Sequence, residues 1–539
     1  MTGNSVFNGG MTMFLNSVLA ATLGAAALTL LPSCNTPQGP DAALQSDAPV
    51  DDAGGIDADI RDAFIRPDAN ADAPFELLPF TPPTSAHITT DRRFFRDEAG
   101  RVRVFRGVNV RVEDIFDVRL DPARCPPPTD VLQALPTLPD AELIRMRRLG
   151  FNVVRLPIQW SGIEPTQGTF DEVYLDRVEA LVTRMEAAGL YVMIDFHQDA
   201  WGKDVGEDGA PSWTLPDSWP LLCGPLGDML AMRRADTLPL LARFFNDRDA
   251  DPIDVALQEA FMRMAEHVAS RFATHERVLG YDLFNEPVAD AGMIERFHAR
   301  LAPRVRAQDS RHILFFEPSA VRNFTDRGPI ASEPFPDPLG SYAVHLYTLS
   351  FSDPRGELDT VTRMRLEPNV TRAVREAASF QAPLFVGEWG IRPDSPGSAN
   401  YVRFMYELFD DQFASSTVWL WKENSQGSWG FFDFNRDTGT FTERASVVGA
   451  HARVYAAAIA GEPLTMAYVP ETHSFTLTYT GRLDAAPSVI HLPESPHFPT
   501  DFEVTCNGRV LSGITRNADG NIEVLCPGPF ERTVTVVGR

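Results

Sequence analysis

The sequence is poor in cysteine and in basic residues. Only five of its 539 residues are cysteine, and no CxxC or Cys/His spacing suggests a zinc site. Lys and Arg number 48 against 73 Asp and Glu, and a net charge of −25 argues against nucleic acid, which needs a basic face. A hydrophobic fraction of 44% and a charged fraction of 22% are ordinary for globular proteins, which excludes wholesale disorder and a polytopic membrane protein.

Long apolar runs are missing except at the amino terminus. The run Met13–Leu31 is followed by Pro32, Ser33 and Cys34, which predicts a signal peptide over residues 1–34. Cys34 follows small residues as in a bacterial lipobox, so it is a candidate for lipidation and for anchoring at a membrane surface. A non-lipidated signal or a single membrane anchor is the alternative, because no Lys or Arg precedes the run. We expect an exported protein, either secreted or a lipoprotein of the outer membrane or cell surface.

Residues 35–80 have the composition of a disordered acidic linker. The segment is rich in Asp, Ala and Pro, and ten acidic residues face only Arg61 and Arg66. Such a stretch buries too little apolar surface to offset the entropy of ordering it. We therefore predict a solvated tether ahead of the folded part of the chain.

The rest of the chain alternates short apolar runs with amphipathic helical stretches. A chain of 539 residues is too long for one core, which stops growing near about 250–300 residues. Alternating strands and helices favour βαβ units, and eight of them predict an α/β fold, the (β/α)8 TIM barrel, over residues 81–461. A doubly wound sheet is the alternative, but no glycine-rich phosphate turn is present. The eight predicted strands are RVFRGVNV, NVVRLPI, YVMIDF, VLGYDLFN, HILFFEP, YAVHLY, PLFVGEW and TVWLW.

The tail after the barrel has a different pattern. The barrel is expected to end with a helix containing Val447–Ala460, and residues 462–539 read as short alternating strands between turn residues. This pattern predicts a small C-terminal β-sandwich.

The four cysteines other than Cys34 permit two disulfides in an oxidising compartment. Cys125 and Cys223 lie in predicted loops on one face of the barrel, and Cys506 and Cys526 each end a strand reading EVxC. Four buried free thiols are the alternative.

Polar residues at the carboxyl ends of barrel strands are the candidates for function. Glu286 follows the fourth strand and Glu388 the seventh, so the two glutamates face each other across the barrel mouth. A facing carboxylate pair suits glycosidic cleavage, in which one group protonates the leaving oxygen and the other attacks the sugar or activates water. The carboxylates could hold a divalent metal instead, but no oxygen-ligand loop supports one, so we expect no metal and no cofactor.

The residues around the pair suggest different roles for the two glutamates. Arg155 and Tyr347 can stabilise Glu388 as a carboxylate, whereas Glu286 in a more apolar setting would be the general acid. Asn285 can bind a sugar hydroxyl near the reacting carbon. Trp419 or Trp421 offers a flat face to a sugar ring.

The motifs NVVRLP, DFHQD, FNEP, HLY and VGEWG with a tryptophan on strand eight resemble glycoside hydrolase family 5 over roughly residues 90–460. The sequence DFHQD, the sequence GAPSW at Gly209–Trp213 and the sandwich resemble its endoglycoceramidase-related branch. The resemblance implies a retaining (β/α)8 enzyme with Glu286 as acid/base and Glu388 as nucleophile. It also implies that six residues shape the sugar-binding subsite: Arg155, His197, Asp199, Asn285, His345 and Tyr347. We add Trp213 to this set, and either Trp419 or Trp421 would take the family's stacking role. One departure is that RVEDIFD follows Asn109 where the branch has a Lys-containing loop.

The sequence leaves the substrate open between classes. We expect a monomer acting on a glycan or glycolipid, with glycolipids favoured because the segment from Asp199 to Arg248 is unusually apolar. If the aglycone is a lipid, Trp213, Trp219 and the pair Phe244–Phe245 should line an apolar groove leading away from Glu286. The alternative for this segment is a lid packed on the barrel. The alternative functions are a β-glucanase or mannanase and a non-catalytic carbohydrate-binding lipoprotein.

Overall fold

The structure is a computed structural model that describes residues 82–217, 219–225, 230–246, 252–347, 349–350, 360–423, 429–484 and 486–539. The predicted signal peptide, Cys34 and the acidic linker lie outside the described residues. Among the described residues, no helix has both the length and the apolar character needed to span a bilayer.

Three short antiparallel strands precede the barrel and close its floor. They are β1 (Ile88–Asp91), β2 (Phe94–Asp97) and β3 (Val102–Arg103). Ile88 and Phe95 are buried in one cluster with residues at the amino-terminal ends of the barrel strands, including Phe105, Val153 and Tyr191. The bottom of the barrel is therefore sealed by apolar packing, which leaves the opposite end for the functional site.

Eight parallel strands form a closed barrel, which confirms the predicted TIM fold. Each strand pairs in parallel with its neighbours, and the eighth pairs with the first. The last strand begins two residues earlier than the predicted run from Thr417. The strands are β4 (Arg106–Asn109), β5 (Val153–Ile158), β6 (Tyr191–Phe196), β7 (Val278–Asp282), β8 (Ile313–Phe316), β9 (Gly340–Leu346), β10 (Leu384–Trp389) and β11 (Ser415–Val418).

Helices follow from amphipathic spacing and capping residues. In the helix Glu172–Ala187, Asp171 caps the amino end by accepting the N–H of Tyr174, and the chain leaves the helix at Gly189 with φ of +80°. The buried side chains of this helix recur at helical spacing on one face. The described helices are Asp140–Arg148, Trp160–Ile163, Glu172–Ala187, Leu230–Phe245, Pro252–Phe272, Ala291–Gln308, Ala320–Thr325, Arg363–Ser379, Ser398–Gln412 and Ala445–His451, with 3-10 turns at Ser212–Thr214 and Pro470–Thr472.

The carboxyl-terminal part is a two-sheet β structure, as predicted, and it recruits the amino-terminal strands. After the hairpin β12 (Phe432–Asn435) and β13 (Thr440–Glu443), the strands are β14 (Tyr455–Ile459), β15 (Gly461–Val469), β16 (Ser474–Gly481), β17 (Ser488–His491), β18 (Phe502–Cys506), β19 (Arg509–Val510), β20 (Asn521–Val524) and β21 (Glu531–Gly538). One sheet has the order β1-β2-β3-β14-β17-β20, and the other has the order β15-β16-β21-β18-β19. A buried cluster that includes Phe475, Leu477, Ile490 and Val534 fills the space between the sheets.

The prediction of a helix over Val447–Ala460 is wrong for the second half of this segment. The helix ends at His451, and Tyr455–Ile459 is a fully buried strand between β3 and β17. The alanine-rich run favours a helix locally, but pairing with strands distant in the sequence decides its conformation.

Both predicted disulfides are present. Cys125 is bonded to Cys223 across a separation of 98 residues, and Cys506 is bonded to Cys526 across 20 residues. The first bridge ties the loop after β4 to the long segment after β6, so it fixes two loops on the same face of the barrel. The alternative of four free thiols is thereby excluded.

Candidate active site

Polar side chains from six barrel strands meet at the carboxyl-terminal mouth of the barrel. Parallel strands end on the same rim, so residues at or just after these ends converge. The sequence-predicted residues that come together there are Arg155, His197, Asp199, Asn285, Glu286, His345, Tyr347, Glu388 and Trp419.

Glu388 is held by hydrogen-bond donors on both oxygens. Arg155 donates from Nη1 to Oε1 at 2.8 Å, and the Tyr347 hydroxyl donates to Oε2 at 2.6 Å. Arg155 is completely buried, so its charge acts on the carboxylate with little screening by solvent. Charge-assisted bonds of this kind are short and strong, so they fix the orientation of the Glu388 carboxyl group.

Glu286 stands in a different environment. Nδ1 of His345 lies 2.7 Å from its Oε1, and Gln198 donates to its backbone carbonyl. Burial is the main cause that raises the pKa of Glu286 to about 7; the His345 contact opposes the rise, and the charge of Glu388 adds to it. The carboxyl group is therefore mostly protonated below about pH 7, as a general acid requires.

The backbone of Glu286 is held in an uncommon conformation. Its φ is +44°, in the left-handed region that non-glycine residues seldom adopt. Such strain persists only where the surroundings enforce it, and it clusters at functional sites. Here the Glu286 N–H donates to Glu317 and the carbonyl accepts from Gln198, so both sides of the residue are fixed.

The two glutamates are close enough for double displacement. A carboxylate oxygen of Glu286 and one of Glu388 lie within 4.8 Å of each other. Retaining glycosidases place their carboxyl groups about 5–5.5 Å apart, whereas inverting ones leave about 6.5–9.5 Å for a water molecule. The geometry fits retention.

The wall beside the carboxylates is aromatic and acidic. The Trp419 ring stacks nearly parallel to the His197 ring, with centroids 5.9 Å apart, and Trp419 is only partly buried. His197 Nδ1 lies 2.6 Å from Asp195, and Nε2 lies 3.7 Å from Asp199. Burial lowers the pKa of His197, but the Asp195 carboxylate outweighs it and raises that pKa well above its usual value.

Comparison with known families decides the affiliation. The model described as cellulase, glycosyl hydrolase family 5, matches residues 139–425, which is more than half of the chain. The chain belongs to glycosyl hydrolase family 5. The model of the family 5 C-terminal domain also matches, over residues 453–531, which covers most of the sandwich.

Curated relatives and a solved structure are similar to this family 5 hydrolase over different shares of its length. Endoglycoceramidase I of Rhodococcus hoagii is 24% identical over 473 residues, which cover 82% of this chain and 88% of that protein. The glucosylceramidase of Rhizopus delemar is 26% identical over 265 residues, which cover 38% of this chain and 37% of that protein. The solved structure of endo-glycoceramidase II from Rhodococcus sp., in a cellobiose-like isofagomine complex, has a TM-score of 0.67 at 25% identity and covers 83% of this chain and 99% of that one.

The family 5 site includes buried carboxylates that sequence reasoning missed. Arg155 contacts Asp195, Asp282 and Glu317 at 3.1, 2.9 and 3.3 Å. Burial raises the pKa of Glu317 to about 8 and that of Asp282 well above its usual value, although Arg155 opposes both shifts. A signal was available, because each acid lies at or next to the carboxyl end of an apolar barrel strand.

Asn285 and Asn109 complete the polar floor. Asn285 accepts from Arg155 through Oδ1 at 2.8 Å and donates from Nδ2 to the Gln198 carbonyl at 3.1 Å. Asn109 likewise accepts from Arg155 at 3.1 Å and donates to the Gly387 carbonyl. These bonds orient the guanidinium, which in turn orients Glu388.

Two predicted tryptophans do not belong to the site. Trp421 is buried against Phe151 and Phe431, and its Nε1 donates to Glu142, because the chain turns outward after Trp419. Trp213 packs edge-to-face on Trp160, and its Nε1 donates to the backbone carbonyl of Glu164. Of the two strand-eight tryptophans, the structure places Trp419 beside His197 and Trp421 in the core.

The predicted apolar groove is also not formed as expected. Phe244 and Phe245 are each 1% exposed and pack on Phe284 and Phe297 in the core, so the pair cannot wall a groove. The cavity lined by Phe244 and His197 measures about 20 Å³, which is room for a water molecule but not for an acyl chain. The segment Leu230–Phe245 forms a helix, and Phe244 and Phe245 lie on the face of this helix that packs on the core.

Among the described residues, three groups of acidic and histidine side chains lie close enough together to ligate a cation. His197, Asp199 and Asp208 place one ligand atom each within 4.8 Å of one another, and His345 does so with two pairs of acids. In both His345 sets an acid is already bound by Arg155. Glycosidic cleavage by a carboxylate pair needs no metal ion.

Proposed function

We propose that this family 5 hydrolase cleaves β-glycosides with retention, with Glu286 as acid/base and Glu388 as nucleophile. Glu388 attacks the anomeric carbon while Glu286 protonates the leaving oxygen, which gives a covalent glycosyl-enzyme. Glu286, now a carboxylate, removes a proton from water, and that water displaces Glu388 from the sugar. The observation that carries this proposal is a close carboxylate pair, in which Glu388 accepts hydrogen bonds from Arg155 and Tyr347 and the pKa of Glu286 is raised to about 7.

The sugar is proposed to bind between the carboxylates and the aromatic wall. Trp419 is partly exposed and offers a ring face, and Asp199 presents a partly exposed carboxylate beside His197. Carboxylates and imidazoles bind sugar hydroxyls by charge-assisted hydrogen bonds, while an aromatic face packs on the C–H surface of the ring.

The proposed substrates are glycolipids of the glycosylceramide class. Support comes from the relatives named endoglycoceramidase and glucosylceramidase, the first of which spans 82% of this chain. The match to the solved structure of endo-glycoceramidase II covers 83% of this chain, so it includes both the barrel and the β domain. Polysaccharide cleavage, as in cellulase-like members of the family, is the second candidate because the matching barrel model carries that description.

An apolar surface near the barrel mouth supports a lipid aglycone. Trp219 and Leu222 are partly exposed, and Leu221 is 39% exposed, although large apolar side chains favour burial. This segment, Trp219–Leu222, follows the catalytic end of β6 and is tied by the adjacent Cys223 to the loop after β4. Burying an acyl chain against such a surface contributes about 0.8 kcal/mol per methylene.

Product analysis by mass spectrometry tests the substrate class. The panel contains a ganglioside, glucosylceramide, a steryl glucoside and a β-glucan. Release of an intact glycan and ceramide, or of glucose and ceramide, supports the proposal and separates endo from exo action. Cleavage of the β-glucan alone would favour the polysaccharide function.

Variants of the apolar surface refine this test. Trp219→Ala should raise KM for glycolipids about tenfold while a short aryl glucoside is spared, since only the lipid reaches the surface. Val510→Ala is the matched control, because Val510 is an exposed apolar residue of the β domain. Equal changes in KM for both substrates would argue against a lipid contact at Trp219.

We further propose that the chain is exported and anchored through Cys34. The apolar run before Cys34 supports export, and two disulfides suit an oxidising compartment. Labelling with a fatty-acid analogue tests the anchor. Wild-type chain should incorporate label and sediment with membranes, whereas Cys34→Ala should do neither; unlabelled wild-type chain would contradict lipidation.

A further inference from the structure

Three polar side chains beside the cleft form a cluster that contains unsatisfied buried atoms. One nitrogen of His197, one carboxylate oxygen of Asp199 and one of Asp208 lie within 4.8 Å of one another. Nε2 of His197 is 3.7 Å from Oδ2 of Asp199. In the described part of the chain, Nε2 of His197 and both carboxylate oxygens of Asp208 are buried without a hydrogen-bond partner. His197 is 3% exposed and Asp208 is 1% exposed, so bulk water does not satisfy these atoms.

The backbone holds the two aspartates opposite each other. Asp199 and Asp208 form an antiparallel bridge, in which each residue donates its N–H to the carbonyl of the other at 3.1 Å. Directly paired residues of such a bridge point their side chains to the same face. The loop between them is tight, because a Cβ on Gly206 would lie 1.8 Å from the carbonyl oxygen of Ala200. The chain itself therefore sets the two carboxylates close together.

The histidine of the cluster is oriented in the manner of a metal-binding histidine. Nδ1 of His197 lies 2.6 Å from Oδ2 of Asp195, and this aspartate in turn lies 3.1 Å from Nη1 of Arg155. Histidines that bind metals almost always donate their other ring N–H to a carboxylate, a backbone carbonyl or water, which fixes the ring and its tautomer. With Nδ1 engaged by Asp195, the lone pair for a cation is on Nε2, the nitrogen that faces Asp199.

The cationic side chains on this side of the barrel mouth are engaged with other acids. Arg111 donates to Glu423 at 2.8 Å, and Lys203 donates to Asp117 at 2.6 Å. Two carboxylates held side by side repel each other unless a cation or a proton lies between them. The side chain of Asp199 is 25% exposed, so a cation from solvent can reach the cluster from that side.

We propose that His197, Asp199 and Asp208 bind a divalent metal ion, a property that goes beyond the proposed glycosidase reaction. One imidazole nitrogen and two carboxylates suit Zn²⁺ or Mn²⁺ better than Ca²⁺, which takes about six to eight oxygen ligands. Zinc binds such atoms at about 2.0–2.2 Å, so the three atoms would lie at most about 4.4 Å apart. The side chains therefore need to close only slightly around the ion.

The ion would tie the loop 199–208 to the carboxyl end of β6 and keep a coordination position open. Three protein ligands leave at least one position of a tetrahedral site for water or for a hydroxyl group of a bound sugar. Because Asp199 is the exposed member of the cluster, we expect this position on the side of the cleft. Metal and proton compete for the same lone pair of His197, so the affinity should weaken as the pH falls.

Metal titration of the whole protein tests the site. The protein is first stripped with a chelator, and binding of ZnCl₂ or MnCl₂ alone is then measured by isothermal titration calorimetry. Wild-type protein should bind one ion per chain, and its unfolding temperature should rise in the presence of the ion, because the ion binds the folded state. A wild-type protein that binds neither metal would overturn the inference.

Two buried aspartates of the same loop provide a variant and its matched control. Asp208→Asn should weaken binding at least about 100-fold, because the amide keeps the size of the side chain but loses the charge that a metal requires. Asp204→Asn should leave the affinity unchanged, since the Asp204 carboxylate is buried but accepts a hydrogen bond from Ser212 outside the cluster. Equal affinities of Asp208→Asn and wild type would overturn the inference, and so would equal losses in the two variants.

Anomalous diffraction locates the ion without any variant. Crystals of the wild-type protein grown with ZnCl₂ should show a peak at the zinc absorption edge between His197, Asp199 and Asp208. A peak found only at other side chains would overturn the inference, even if the titration showed binding. None of these measurements involves a glycoside, so their outcome is independent of the proposed function. Absent turnover by the wild type would count against that function and not against the metal site.

Discussion

The Tyr347 hydroxyl donates a 2.6 Å hydrogen bond to Oε2 of Glu388, the oxygen that Arg155 does not bind. Burial and the charge of Glu388 raise the pKa of Tyr347 well above its usual value, so the phenol remains a donor. The carboxylate is thus oriented by two fixed donors before any substrate arrives, which is the kind of preorganisation that lowers a reaction barrier.

Tyr347→Phe should therefore lower kcat/KM about 10- to 100-fold. A hydrogen bond to a charged group contributes about 1.5–3 kcal/mol, and this one acts on the nucleophile, so good and poor leaving groups should lose equally. Tyr406→Phe is a matched control, because the Tyr406 hydroxyl bonds to His451 outside the site. Steady-state kinetics with both substrates checks the prediction, which an unchanged Tyr347→Phe enzyme would contradict.

Glu286→Gln should show a loss that depends on the leaving group. Poor leaving groups need protonation and should lose about 10²–10⁴-fold in kcat/KM, whereas activated aryl glycosides need little. The amide keeps the volume of the side chain, so the fold is retained. Kinetics over a series of aryl glycosides of graded acidity measures the dependence, and equal losses along the series would rule out the acid role.

The pH profile should report the raised pKa of Glu286. The acid acts when protonated, so kcat/KM for an unactivated glycoside should be high below about pH 7 and fall as the pH rises through that value. An unshifted carboxyl group, with its ordinary pKa of 4.5, would place the fall more than two units lower. For Glu286→Gln with an activated aryl glycoside, the fall near pH 7 should disappear.

The Cys125–Cys223 bridge should contribute more stability than the Cys506–Cys526 bridge. In the chain-entropy model, a separation of 98 residues is worth about 4.7 kcal/mol, whereas one of 20 residues is worth about 3 kcal/mol. Double alanine variants of each pair, compared by thermal unfolding, test the order. The first variant should unfold at the lower temperature, and the reverse order would contradict the expectation.

The barrel was predictable because its signals are local. Eight apolar runs with polar residues at their ends give strand positions, strand order and the rim of the site, so Glu286, Glu388, Arg155 and Tyr347 could be placed together. The Cys125–Cys223 disulfide followed from the same topology, since it puts both residues on one face.

The predictions that the structure contradicts concern residues whose contacts are distant in the sequence. The local sequence favours a helix over Tyr455–Ile459, whereas the structure has a strand there, because this segment pairs with β3 and β17. Phe244 and Phe245 were expected at a groove, but the helix that carries them faces the barrel core. Glu317 escaped notice because its contacts with Arg155 and with the backbone of Glu286 form only in the closed barrel.

The most direct test of the central claim is to trap the glycosyl-enzyme. A 2-deoxy-2-fluoro glycoside with an activated leaving group slows release of the sugar from the nucleophile, so the covalent adduct accumulates and peptide mass spectrometry can locate it. One sugar should be added per chain, attached to Glu388 in the strand Leu384–Trp389. A label on another residue, or inverted product during early turnover, would contradict it.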